Sequence, residues 1–139
     1  DISGSLASSI EKTNLYMNDH IEVARRLNKP VVLEEFGLPR DHHGYSPQES
    51  TVARDTYYAN AFGQVLENAG SAGPLAGCNI WAYGGEGRAT EGHLHWLPGD
   101  DYLGDPPQEE QGLNSVFDTD STVSVIKDFS LRLSTLTKN

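Results

Sequence analysis

Two adjacent carboxylates close an otherwise apolar stretch, Lys29-Pro30-Val31-Val32-Leu33-Glu34-Glu35-Phe36-Gly37. The run of Val, Val and Leu ahead of them is the pattern of a strand buried on both faces, as in a parallel sheet. An unpaired charge is expensive to bury there. Carboxylates at such a strand end therefore either form ion pairs or do chemistry, as proton donors or nucleophiles at the carboxyl-terminal mouth of an α/β fold. Side chains alternate across a strand, which groups Glu35 with Val31 and Leu33, and Glu34 with Val32. On that pattern only one of the two projects into a site. The competing expectation is that both pair with arginines such as Arg40.

A second stretch, Asn79-Ile80-Trp81-Ala82-Tyr83-Gly84-Gly85-Glu86-Gly87-Arg88, carries aromatic residues into a glycine-rich end where backbone can approach a ligand. Read as a strand, it places Trp81 and Tyr83 on one face near the same mouth. Aromatic faces suit the C–H surfaces of sugars; ordinary core packing is the alternative for the tryptophan. A third stretch, 86–114, is polar and aromatic and holds His93, His95, Trp96, Asp100, Asp101 and Tyr102. Loops of that length inside a compact domain are usually functional, with a solvated loop anchored by one tryptophan as the alternative. The imidazoles, His42-His43 included, match no zinc or calcium spacing, so no metal is expected. There is no phosphate loop, dinucleotide fingerprint or serine elbow, and no cofactor is expected. Cys78 has no catalytic partner motif and reads as a small buried residue.

The elements that must hold these residues follow from periodicity. Leu6, Ile10, Met17, Ile21, Ala24 and Leu27 predict a helix over 6–28, stopped by Pro30. A strand over 31–36 follows. Ser46-Pro47-Gln48-Glu49 reads as a capping box opening a second helix that carries Val52, Tyr58, Phe62, Val65, Leu66 and Ala69. A second buried strand is expected over 77–83. Residues 118–121 can cap a last helix with Val123, Ile126, Phe129, Leu133 and Leu136. The order helix, strand, helix, strand, long loop, helix indicates an α/β fold with a parallel sheet and right-handed crossovers. Two strands cannot bury both their faces, and their edges would stay unpaired. The 139 residues fall short of the roughly 200 or more in an eight-stranded barrel. The opening Asp-Ile-Ser-Gly-Ser-Leu lacks the basic flank and apolar stretch of a signal peptide and reads as the middle of a longer chain.

Composition narrows the partners. Twenty acidic against ten basic residues give a net charge of −10. That argues against nucleic acid, whose backbone calls for clustered Lys and Arg, and against an anionic membrane surface. No apolar run approaches the roughly 20 residues of a membrane span. A neutral or cationic ligand stays open, and one cysteine allows no internal disulfide.

The three stretches together resemble the carboxyl-terminal part of a glycoside hydrolase of family 5, and most closely its endo-β-1,4-mannanases. The Val31-Val32-Leu33-Glu34-Glu35-Phe36-Gly37 stretch is similar to the seventh strand of that family's barrel, and Asn79-Ile80-Trp81-Ala82-Tyr83 to the eighth. Gln111-Gly112-Leu113-Asn114-Ser115-Val116-Phe117-Asp118 resembles the lead into the last helix. The resemblance implies a fold that is the carboxyl-terminal portion of a (β/α)8 barrel, strands 7 and 8 with flanking helices, incomplete on its own and without an internal domain boundary. It implies Glu35 as nucleophile and Trp81 as the aromatic floor under the sugar being cleaved, with Trp96, Arg88 and Glu86 as further substrate contacts. The implied activity is retaining hydrolysis of β-mannan. The acid/base glutamate of an Asn-Glu-Pro-type motif is absent from this chain and would come from an amino-terminal segment. Extracellular, cell-surface or periplasmic placement is implied as well. A β-glucanase of the same fold and a non-catalytic carbohydrate-binding fragment are the alternatives.

Overall fold

The computed structural model describes residues 2–136. A helix α1 (Ile2–Leu27) leads into strand β1 (Val31–Phe36), helix α2 (Val52–Gly70) and strand β2 (Leu75–Ile80). Two short strands, β3 (Tyr83–Gly85) and β4 (Val116–Phe117), bracket a long excursion, and helix α3 (Thr122–Leu136) closes the order. β1 and β2 pair in parallel, as do β3 and β4.

α1 begins four residues before the expected start, because nothing between Ile2 and Leu6 stops a helix and the single Gly4 costs only about 1 kcal/mol. It buries Ile2, Met17, Ile21 and Ala24. Asn28, with φ of 52°, and Pro30 end it.

α2 starts at Val52 rather than at the Ser46 capping box. The Ser46 stretch folds instead into a turn, with the Glu49 amide donating to the Ser46 carbonyl at 3.0 Å. The true cap comes from Asp41, whose carboxylate accepts from the Val52 amide at 3.2 Å and the Ala53 amide at 2.9 Å. Burial opposes the ionisation of Asp41, but bonds from the Ser50 hydroxyl and these two amides outweigh it and hold the carboxyl below its ordinary range. A carboxylate at a helix start also meets the positive end of the helix dipole.

The core lies on one side of the β1–β2 pair. Phe36 packs with Tyr57, Tyr58, Ala61, Phe62 and Val116, and Leu33, Cys78 and Ile80 fill in beside them. Phe62 stacks on Phe129 of α3 at 4.3 Å between ring centroids. Met17, Ile21, Val65 and Leu75 form a second cluster below α1. Cys78 is half-buried among these groups, and burial pushes its thiol up to about 11, so it stays protonated and inert.

As expected of two strands on their own, the pair is covered on one face only. Val32, Glu34, Ala76 and Asn79 are exposed on the other side of the pair. The three helices all cover the same face, and no described element lies over the opposite one.

Candidate active site

The end of β1 is where the alternation expected for the two glutamates breaks. Leu33 pairs with Cys78 and Phe36 with Ile80, three steps along β1 against two along β2. That mismatch is a β-bulge. Its extra residue sits at Glu35, whose φ of 54° is left-handed, a region that non-glycine residues rarely enter. Leu33 and Phe36 both pack on the helix side. Glu34 and Glu35 therefore do not separate onto core and mouth as strict alternation demands; both are exposed, at the carboxyl end of the strand. The Asn79 side-chain amide donates to Glu34 at 2.7 Å. Glu35 lines a cleft along the free side of β1 with Lys12, Thr13, Tyr16, Gly37 and Tyr57, and its carboxylate has no hydrogen-bond partner among the described residues.

Backbone contacts tie this bulge to the end of β2. The Trp81 amide donates to the Phe36 carbonyl at 2.8 Å. A side chain at position 37 would put its Cβ 2.1 Å from the Trp81 carbonyl oxygen, so only glycine fits. The same oxygen accepts from the hydroxyl of the fully buried Tyr58 at 3.4 Å. Glu35 and Trp81 are thus brought to adjoining strand ends, with Gly37 and Tyr58 as positioning residues, a role the sequence does not spell out for Tyr58. The glycine after Glu35-Phe36 was the available signal; nothing local marks Tyr58.

Trp81 is half-buried and joined to Ala82 by a cis peptide. The strand ends at Ile80, so Trp81 and Tyr83 do not share a strand face. Tyr83 instead opens β3, is 61% exposed, and belongs to the second sheet.

Arg40 does not pair with either glutamate. It makes two bonds to Asp120, at 3.0 and 2.8 Å. Arg54 reaches the same carboxylate at 3.4 Å and donates to the carbonyls of Leu38 and Ser115 at 2.6 and 2.9 Å. Both guanidiniums are fully buried, and burial draws the Arg54 pKa down from its ordinary value. This cluster joins the loop after β1, the start of α2 and the turn into α3. It is the clamp beneath the site.

The excursion between β3 and β4 leaves from the same edge as the loop after β1, because β1 and β2 run parallel. Asp100 organises its outer part. Its carboxylate accepts from Thr90 at 2.7 Å, from the Leu97 amide at 2.9 Å and bonds His93 Nδ1 at 3.0 Å. These bonds, Thr90 first, hold the carboxyl below its ordinary range. The Trp96 indole N–H donates to the Asp100 carbonyl at 3.1 Å. Arg88 is drawn into the loop's own bonding, pairing with Asp118 at 2.6 Å and lying 5.1 Å from the centre of the Phe117 ring. Glu86 is exposed. The structure thus links Phe36, the residue after Glu35, to Trp81 through the backbone and carries Arg88, Trp96 and Glu86 on the neighbouring excursion. No group of three or more His, Cys, Asp or Glu among the described residues is placed to hold a metal ion.

Comparison with known proteins gives one consistent family. A family model described as GH family 5 beta-mannosidase-like matches residues 1–138. Over 72 residues, 51% of this chain, the sequence is 35% identical to mannan endo-1,4-beta-mannosidase 4 of Solanum lycopersicum, covering 17% of that protein. Over 69 residues it is 30% identical to mannan endo-1,4-beta-mannosidase 7 of Arabidopsis thaliana, covering 16% of its length. Among solved structures, the glycoside hydrolase family 5 mannosidase of Rhizomucor miehei superposes with a TM-score of 0.85 at 38% identity, over 96% of this chain and 33% of that one. A glutamate-to-alanine variant of that mannosidase, solved in complex with mannosyl-fructose, gives a TM-score of 0.86. The chain spans about a third of the solved relative and matches about a sixth of the curated ones.

Proposed function

Because this chain belongs to the β-mannosidase-like members of glycoside hydrolase family 5 and its fold is the carboxyl-terminal portion of their (β/α)8 barrel, we propose that it is the nucleophile-bearing segment of a retaining endo-β-1,4-mannanase. The observation that carries this reading is the bulge at the end of β1. It leaves Glu35, an exposed carboxylate without a hydrogen-bond partner among the described residues, at the carboxyl end of β1, the strand end next to the one that leads into Trp81, and barrel enzymes build their sites at such ends.

In the proposed reaction Glu35 attacks the anomeric carbon of the mannosyl unit as the glycosidic bond breaks. A second, protonated carboxyl roughly 5–5.5 Å away gives its proton to the leaving oxygen. Water, deprotonated by that same group, then releases the sugar with its configuration retained. The second carboxyl is assigned to an amino-terminal segment of the same enzyme, which would also cover the open face bearing Val32 and Ala76. Trp81 lies under the reacting ring. A polymeric glycan does not diffuse across a membrane, so an extracellular setting fits this reading. No described helix is long and apolar enough to cross a membrane.

The test is hydrolysis by the complete enzyme of soluble mannan and of soluble cellulose, with the anomer first released read by NMR. Mannan should be cleaved in preference, and the β-anomer should appear first. Preference for cellulose would assign the segment to a β-glucanase, and no cleavage of either would leave a binding fragment. Trp81→Ala in the same protein should lower kcat/KM on a short mannooligosaccharide about tenfold or more, the loss expected for a large aromatic contact at the reacting ring. Unchanged kinetics would return Trp81 to core packing.

A further inference from the structure

The outer excursion contains an aromatic pair that core packing does not explain. Trp96 and Tyr102 stack with ring centroids 5.4 Å apart and planes within 13°. Trp96 is half-buried and tethered through its indole N–H. Tyr102 is 79% exposed, and its hydroxyl has no partner among the described residues. One ring face of Tyr102 rests on Trp96, and the other is free. Leu94 and Leu97, in the same excursion, are also about half exposed, at 49% and 48%.

This segment is not loose. Asp100 is bonded at once by Thr90, His93, the Leu97 amide and, through its carbonyl, Trp96. Trp96 is therefore held before any ligand arrives, Tyr102 rests on it by stacking, and a preorganised flat surface costs little ordering on binding. A flat aromatic face with an adjacent unpaired hydroxyl suits a neutral pyranose ring with an apolar C–H face. The chain's net charge of −10 disfavours anionic occupants. The excursion leaves the same sheet edge as the loop that follows Glu35.

We propose that the Trp96–Tyr102 stack is a distal sugar platform, with the outer face of Tyr102 binding a pyranose unit of the polymer remote from the bond being cleaved. This rests on the glycanase reading above and deepens it: the platform makes the enzyme favour long chains over short ones. Such a contact adds binding for any substrate long enough to reach it and nothing for a shorter one.

The experiment compares Tyr102→Ala and Tyr102→Phe with the unaltered complete enzyme on soluble polymeric mannan and on mannotriose. Migration through native gels containing mannan or hydroxyethylcellulose provides a readout of binding without turnover. Tyr102→Ala should raise KM on the polymer about three- to tenfold, the range expected for one aromatic stacking contact. It should also abolish most of the retardation by mannan and leave mannotriose kinetics unchanged. Tyr102→Phe should keep most of the polymer affinity. An unchanged polymer KM, or an equal loss on polymer and trisaccharide, would overturn the platform. If the complete enzyme instead cleaves and is retarded by the glucan, and Tyr102→Ala removes that retardation, the platform stands while the mannan assignment falls.

Discussion

Replacing Glu35 by Ala in the complete enzyme should lower kcat by roughly 10⁴-fold or more, the scale seen when the member of a catalytic set that forms the covalent bond is removed. Oligosaccharide binding should survive, because Glu35 makes no hydrogen bond that the fold depends on among the described residues. Added azide, small enough to occupy the vacated carboxylate position, should restore part of the cleavage as a glycosyl azide. The bulge makes a paired control necessary. Glu34 lies one residue away, is equally exposed, and is held by Asn79 at 2.7 Å. Glu34→Gln should therefore keep most turnover, since the amide can still accept from Asn79. A 2-fluoro-mannosyl inhibitor should leave its sugar on Glu35, located by fragmentation of the labelled peptide. Label on Glu34, or loss of turnover in Glu34→Gln with Glu35→Ala active, would reverse the two assignments.

The largest stability effect is expected at Asp120. Its carboxylate is the shared anion for two fully buried guanidiniums, at 2.8 Å from Arg40 and 3.4 Å from Arg54, and it also accepts from the Phe117 amide at 2.8 Å. Asp120→Ala leaves two desolvated positive charges facing one another with only carbonyl oxygens to compensate them. Removing one partner of a buried ion pair costs about 3–5 kcal/mol. Asp120→Asn, which keeps the shape and one acceptor, should cost less than Asp120→Ala. The measurement is denaturant unfolding of the complete enzyme, read as a fall in the midpoint at constant slope. A loss below about 1 kcal/mol for the alanine variant would mean that water reaches the arginines and the cluster is no clamp.

These expectations draw on two levels of information. The elements were legible because they depend on local chemistry. The 3.6-residue apolar spacing marked the helices, the Val31-Val32-Leu33 run marked β1, and Pro30 and Gly37 marked its limits. The parallel pairing of β1 with β2 followed from the intervening helix. The likeness to family 5 rested on short stretches, Glu35-Phe36-Gly37 and Trp81 among them, that the family model also spans.

The sequence by itself thus determined the order of the three helices and the two longer strands, and the family; the short paired strands β3 and β4 were not legible in it, because two or three residues give no periodic signal. The helix start at Val52 was not readable, because its cap, Asp41, lies eleven residues upstream and competes with a nearer, better-spelled Ser46 motif. The pairing of Arg40 with Asp120, eighty positions away, was equally hidden from any local pattern. Only the tertiary structure decided how the two glutamates are presented. Strict alternation is a property of an isolated regular strand, whereas the register between β1 and β2 is set by Phe36 and Ile80 both seeking the same helix-side core. Satisfying both inserts one extra residue into β1, turns Glu35 into the left-handed region, and leaves both carboxylates exposed at the end of the strand.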